Sequence, residues 1–259
     1  MEDTEVRRLL TRFAAGMGAV AAPAALWAHG SLALGDFRPG RSDLDLVALT
    51  DAGLTPVQEE RLRDLHQRIV AEEPLGGSLH CTYLPLPAVA DTLRPHPTWA
   101  LGEWFERPVT PVARRELALG SRVLSGPPPA GLLPPVSDAE LAEFIRGDLR
   151  GYWLPVTAKR ELWVRDIWVD AGMLTFARAS VTLREGRLIT KREALDELRA
   201  QGAPAEVIED IRRRRYGPPR ENPQAGPVSD DWLVQRGELA RRFVGQGIDR
   251  VLAQAGQAG

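Results

Sequence analysis

His29-Gly30-Ser31-Leu32-Ala33-Leu34-Gly35-Asp36-Phe37-Arg38-Pro39-Gly40-Arg41-Ser42-Asp43-Leu44-Asp45-Leu46 is the stretch that decides the fold of this chain. A Gly-Ser pair is followed, after a Gly/Pro-bearing loop, by two aspartates one residue apart on an apolar run. On a strand, residues i and i+2 point to the same face, so Asp43 and Asp45 would stand side by side with Leu44 and Leu46 packed behind them. Two convergent carboxylates suit a Mg²⁺ ion that carries substrate phosphates. The Gly30-Ser31 turn would let backbone N–H groups approach a phosphate, because glycine has no Cβ in the way.

Working outward, residues 4–18 place Leu9, Leu10, Phe13, Ala14 and Met17 at helical spacing. Residues 24–28 and 43–49 read as the two strands flanking the motif. Thr55 caps a helix over 55–72 with Pro56 at its first position, and Leu62, Leu65 and Ile69 line one face. Residues 79–86 read as a third strand. After Pro97, residues 98–123 are expected to be helical, with a break near Pro108 and Pro111. Residues 125–136 hold five prolines and two glycines, which neither a helix nor a central strand accommodates. The expected division is therefore a domain over 1–125, a linker over 126–136 and a helical domain over 137–259. Helices are expected at about 137–150, 158–184, 190–200, 204–215 and 229–254, with a stop at Arg184-Glu185-Gly186-Arg187 and a Gly/Pro loop over 216–227.

The Gly-Ser … Asp-x-Asp segment resembles the motif of the polymerase-β-like nucleotidyltransferases. A longer series narrows the likeness. Leu174-Thr175-Phe176-Ala177-Arg178, Gly186, Leu188-Ile189-Thr190-Lys191, Leu101-Gly102-Glu103-Trp104, Gly126-Pro127-Pro128 and Tyr216-Gly217 follow the order and spacing of segments in the aminoglycoside (3'')(9) adenylyltransferases. Those enzymes transfer AMP from ATP to a hydroxyl of streptomycin or spectinomycin. The resemblance implies an α/β fold, with an N-terminal nucleotidyltransferase domain built on a small mixed sheet and a C-terminal α-helical bundle. It also implies an ATP- and Mg²⁺-dependent adenylyltransferase acting on a small hydroxylated acceptor, an aminoglycoside among the candidates. Asp43 and Asp45 would be catalytic and would ligate two Mg²⁺ ions. Gly30, Ser31, Ser42, Arg178 and Lys191 would bind the nucleotide, the last two from the helical domain. Trp104 would offer a stacking surface to the acceptor.

Two departures from the family pattern stand out. The family places a glutamate on the third strand, facing the two aspartates, whereas this chain has Leu79-His80-Cys81-Thr82. His80 can serve as the base, another carboxylate such as Glu103 or Asp91 can substitute, or the protein binds nucleotide with weak or lost transfer. The second departure is Arg192, which follows Lys191 where the family has an aspartate that meets the cationic sugar; a cation there would repel a polycationic acceptor. A nucleotide-binding regulator and a protein-modifying nucleotidyltransferase therefore stay open beside the small-molecule enzyme.

With 259 residues, 44% of them hydrophobic and 26% charged, the chain has the composition of a folded globular protein. A net charge of −2 argues against a general nucleic-acid surface, and the Arg212–Arg215 run reads as a solvated helix end. The single cysteine, Cys81, excludes an internal disulfide framework and is expected to be small and buried. His66 and His96 are expected at the surface. Arg7-Arg8 followed by the apolar stretch 13–28 imitates a twin-arginine export signal, but an amphipathic helix followed by a strand explains the same letters. Arg12 and Pro23 interrupt any membrane span there. The expected protein is cytoplasmic and monomeric, with no nucleic-acid or membrane partner.

Overall fold

The computed structural model describes residues 4–218 and 229–255, so most of the loop expected over 216–227 lies outside the described residues. Its contacts divide the chain into two compact units, Met1–Ser137 and Asp138–Gly259.

The first unit is a six-stranded mixed sheet in the order β5-β4-β3-β2-β1-β6. Helix α1 (Thr4–Gly18) precedes β1 (Ala25–Ala28), a short helix α2 (Gly30–Ala33) carries the Gly-Ser pair, and β2 (Leu44–Thr50) follows. Asp43 thus sits immediately before its strand rather than within it. Helix α3 (Pro56–Glu72) leads to β3 (Leu79–Pro85), which pairs parallel to β2. All the other strand pairs in the sheet are antiparallel. The cap on α3 is reciprocal: Thr55 Oγ1 accepts from the Gln58 N–H, and Gln58 Oε1 accepts from the Thr55 N–H at 2.9 Å.

Period-2 alternation sorts this sheet into two faces. Leu26, Ala28, Leu44, Leu46, Leu79, Cys81 and Tyr83 pack with Val6, Leu9, Leu10 and Phe13 of α1 and Leu62, Leu65 and Ile69 of α3. At the rim of this layer, Arg8 and Arg12 of α1 both grip Glu73, which follows α3. The other face carries Ala25, Trp27, Val47, Leu49 and Leu84, covered by Val109, Leu117 and Leu133.

The largest departure from expectation lies at 98–123. Residues 95–108 form a hairpin, β4 (Pro95–Ala100) and β5 (Glu103–Pro108), and only α4 (Pro111–Gly120) is helical before the short edge strand β6 (Arg122–Ser125). The hairpin turns at Leu101 and Gly102, both left-handed at φ 56° and 79°. Such a pair gives the reversal that matches strand twist. The Thr-Trp-Ala and Trp-Phe flanks favour a strand once a partner edge exists, and β3 supplies that edge.

The second unit is helical. Helix α5 (Asp138–Asp148) passes through a π-helical turn at 149–153 into α6 (Leu154–Thr157), followed by α7 (Asp166–Glu185), α8 (Lys191–Ala200), α9 (Ala205–Tyr216) and α10 (Asp230–Ala255). The helix expected from 158 begins only at 166, because a 3₁₀ turn at 160–162 intervenes. Gly186 ends α7 in the left-handed conformation, at φ 71°. At the heart of this unit the buried Arg236 bonds to Asp166, Asp210 and the Val164 carbonyl, tying α10 to α7 and α9.

Candidate active site

The site face of the sheet is polar where β2 and β3 begin and apolar farther along. Parallel register places His80 beside Asp45, and Thr82 beside Val47. His80 Nδ1 lies 3.5 Å from Asp45 Oδ1, and Nε2 lies 3.8 Å from Asp43 Oδ1. Asp43 is half-exposed and Asp45 less so, while His80 is buried. The two aspartates are therefore brought together, with one imidazole bridging them.

His80 is held on its other edge as well. The Leu101 backbone N–H donates to His80 Nε2 at 3.3 Å, from the turn of the hairpin. A nitrogen that accepts carries a lone pair, so the neutral ring bears its proton on Nδ1, the atom facing Asp45. Burial works to raise the Asp45 pKa, but the contact with His80 and the fields of His29, His80 and Arg107 outweigh it. The carboxyl is held well below the usual aspartate range.

The Gly-Ser turn abuts this pair. The His29 N–H donates to the Asp45 carbonyl at 2.9 Å, which pins the start of α2 to β2. Gly30 adopts φ +63°, and a Cβ placed there would come within 3.0 Å of Asp45 Oδ2. A side chain at this position would be strained and would crowd the carboxylate, so glycine is required on both counts. Ser31 is half-buried on α2. Ser42 is buried, and its Oγ accepts the Arg38 N–H at 3.1 Å, which closes the intervening loop.

Trp104 lies on β5, not on a helix, and pairs with Trp99, which in turn pairs with Cys81. It thus packs on the face opposite the aspartates. Its ring stacks on Tyr83 at 5.5 Å, and the Arg63 guanidinium sits 4.9 Å over it. Cys81 is buried on that same face, its thiol pushed up to about 12 by burial. Asp91 is committed to a turn, accepting the Leu93 and Arg94 N–H groups at 3.0 Å each. Glu103 is exposed at the start of β5. In the second unit Arg178 Nε donates to the Ile189 carbonyl at 2.9 Å, Lys191 opens α8 behind the Thr190 cap, and Arg192 lies 4.3 Å over the Tyr216 ring. His66 and His96 are buried, contrary to the surface placement expected of them. His66 lies in the helix-covered layer, stacked on Trp99 at 5.0 Å with Nε2 2.9 Å from the Tyr83 hydroxyl.

Two arrangements were not visible in the sequence. His29 Nδ1 lies 3.0 Å from Glu116 Oε2, joining the Gly-Ser turn to α4 through a buried pair. Arg107 reaches from β5 across the sheet and donates from Nε to Thr82 Oγ1 at 3.2 Å, where the Thr98 hydroxyl also lies 3.1 Å away. The Glu103–Pro108 stretch, read as an alternating strand, would have put Arg107 on the face opposite Trp104.

Residues 9–82, which contain the Gly-Ser turn, both aspartates and His80, match the nucleotidyltransferase domain family. The chain carries a polymerase-β-like nucleotidyltransferase domain. Among solved structures, the spectinomycin adenyltransferase of Enterococcus faecialis, crystallised with ATP and spectinomycin, superposes with a TM-score of 0.65 at 13% identity. The match covers 93% of this chain and 98% of that one, so the nucleotidyltransferase domain and the helices after it share that architecture. No curated protein sequence matches the chain significantly. Among the described residues no helix is long and apolar enough to cross a membrane.

The nucleotidyltransferase family is typically metal-dependent. Among the described residues no three His, Cys, Asp or Glu side chains converge as a complete metal cage. The donor set present is two adjacent carboxylates open to solvent on one side. That fits a Mg²⁺ ion completing its shell with substrate phosphates and water, since Mg²⁺ seldom uses an all-protein cage.

Proposed function

We propose that the protein transfers AMP from ATP to a hydroxyl of a small molecule. The observation that carries this reading is the Asp43–Asp45 pair, set against Gly30 at φ +63°, where an added Cβ would crowd one of its oxygens at 3.0 Å. This is a carboxylate pair beside a Gly-Ser turn at the start of a helix. The superposition on a spectinomycin adenyltransferase supports the acceptor class, and an aminoglycoside is the first acceptor to test.

In the proposed reaction the acceptor oxygen bonds to the α-phosphorus of ATP, the α–β bridging bond breaks, and pyrophosphate leaves. A bound divalent cation supplies charge neutralisation for the triphosphate. Asp43 and Asp45 hold the site, and Gly30 and Ser31 offer donors to phosphate oxygens. Arg178 and Lys191 remain proposed phosphate contacts on the resemblance alone. His80 Nε2 accepts the hydroxyl proton after releasing the Leu101 amide. The test is incubation with labelled ATP, Mg²⁺ and a panel of aminoglycosides, with pyrophosphate release as the expected result. Silence with every acceptor counts against the reading.

One observation favours a second reading. Both His80 ring nitrogens are engaged, Nε2 by the Leu101 N–H and Nδ1 towards Asp45, so no lone pair is free. A protein that binds nucleotide without transferring it would tolerate this. His80→Glu separates the two: a gain of transfer means that the pocket lacked only a base, and continued silence with intact ATP binding favours the binder.

A further inference from the structure

We infer that Arg107 takes the place of a second metal ion, so that the site works with one divalent cation and one guanidinium; this rests on the nucleotidyltransferase reading above. A triphosphate brings roughly four negative charges beside two carboxylates, and one divalent ion leaves most of that charge unbalanced. A two-ion site balances it with a second cation that faces the transferring phosphoryl group. Here the third-strand position beside Asp45 holds an imidazole instead of a carboxylate, so a second ion lacks a carboxylate of its own beyond the shared Asp43 and Asp45. A site of three carboxylates and two divalent ions carries one net positive charge. Two carboxylates, one divalent ion and one guanidinium carry the same.

Arg107 is placed for that role. It is half-buried on the site face, its Nε anchored at 3.2 Å to Thr82 Oγ1, one step along β3 from His80 on the same side. Among the described residues no carboxylate lies within 4.0 Å of its guanidinium. The remaining guanidinium N–H groups form a fixed fork suited to phosphate oxygens.

The experiment titrates Mn²⁺ into the full chain with a non-hydrolysable α,β-methylene ATP, counting bound ions by electron paramagnetic resonance and measuring analogue affinity by calorimetry. One ion per chain is expected. Arg107→Gln should weaken analogue binding about tenfold without changing the ion count, and Arg107→Lys should recover most of the loss. Two ions per chain, or equal losses in the Gln and Lys variants, would overturn the inference while leaving metal-dependent nucleotide binding intact. Analogue binding indifferent to Mn²⁺ would overturn the underlying nucleotidyltransferase reading as well.

Discussion

The two faces of the sheet in the first unit use the same strands for opposite purposes. On the helix-covered face, Leu44, Leu46, Leu79, Cys81 and Tyr83 are sealed beneath α1 and α3, and even the polar His66 is enclosed between aromatic rings. On the other face, one residue away along each strand, Asp45 meets His80, and Thr82 beside it accepts from Arg107. Each strand is thus half core and half site, and a one-residue shift of register would exchange them. The division also explains why Trp104 cannot be judged by its neighbours in sequence: strand parity puts it with Tyr83 and Trp99, away from the carboxylates.

The contrast can be broken most sharply at Asp45. Asp45→Asn should leave the far-ultraviolet circular dichroism intact yet lower AMP transfer at least about 10³-fold, because the metal-holding charge is gone and the packing is not. A variant that unfolds instead would show that the site face carries stability as well.

The helix-covered face should respond to pH through His66. Burial above all, and then the field of His80, push the His66 imidazole down to about 3 from an ordinary 6.5. Above pH 6.5 neither the folded nor the unfolded chain holds that proton, so His66 costs nothing. As pH falls below 6.5 the unfolded chain takes up a proton that the folded chain refuses, and stability declines until about pH 3. The full effect is on the order of 5 kcal/mol. Urea denaturation as a function of pH should show this loss, and His66→Gln should flatten it.

Trp104→Ala is expected to have the smallest effect of the three, and it sharpens the assignment of faces. It removes a half-buried ring stacked on Tyr83 and should cost about 2 kcal/mol of stability, read by urea unfolding. Affinity for an ATP analogue should be unchanged. A large fall in that affinity would mean that the ring serves the site after all.

Legibility differed by range of interaction. The helix over 55–72 announced itself through Thr55, Pro56 and Gln58, because capping is settled within a few residues. The hairpin over 95–108 replaces the start of the helix that the sequence predicts from 98. Its two strands pair with each other, but the hairpin joins the sheet through β3, more than ten residues earlier, and its left-handed Leu101 is not a residue that marks such a turn. The buried state of His66 was hidden for the same reason: its enclosure comes from Trp99, Tyr83 and Phe13, which are scattered along the chain.

By itself the sequence determined the nucleotidyltransferase motif, the alternation that sets Asp43 and Asp45 on one side with Leu44 and Leu46 on the other, and the caps of the principal helices. These follow from backbone periodicity and short-range hydrogen bonding, which neighbouring residues impose on one another. Only the tertiary structure decided what surrounds the carboxylates: the Leu101 amide on His80, Arg107 anchored at Thr82, Glu116 behind His29, and Trp104 on the far side. Those placements depend on which strand edges pair and in what register, and pairing between distant segments leaves no mark in either segment alone.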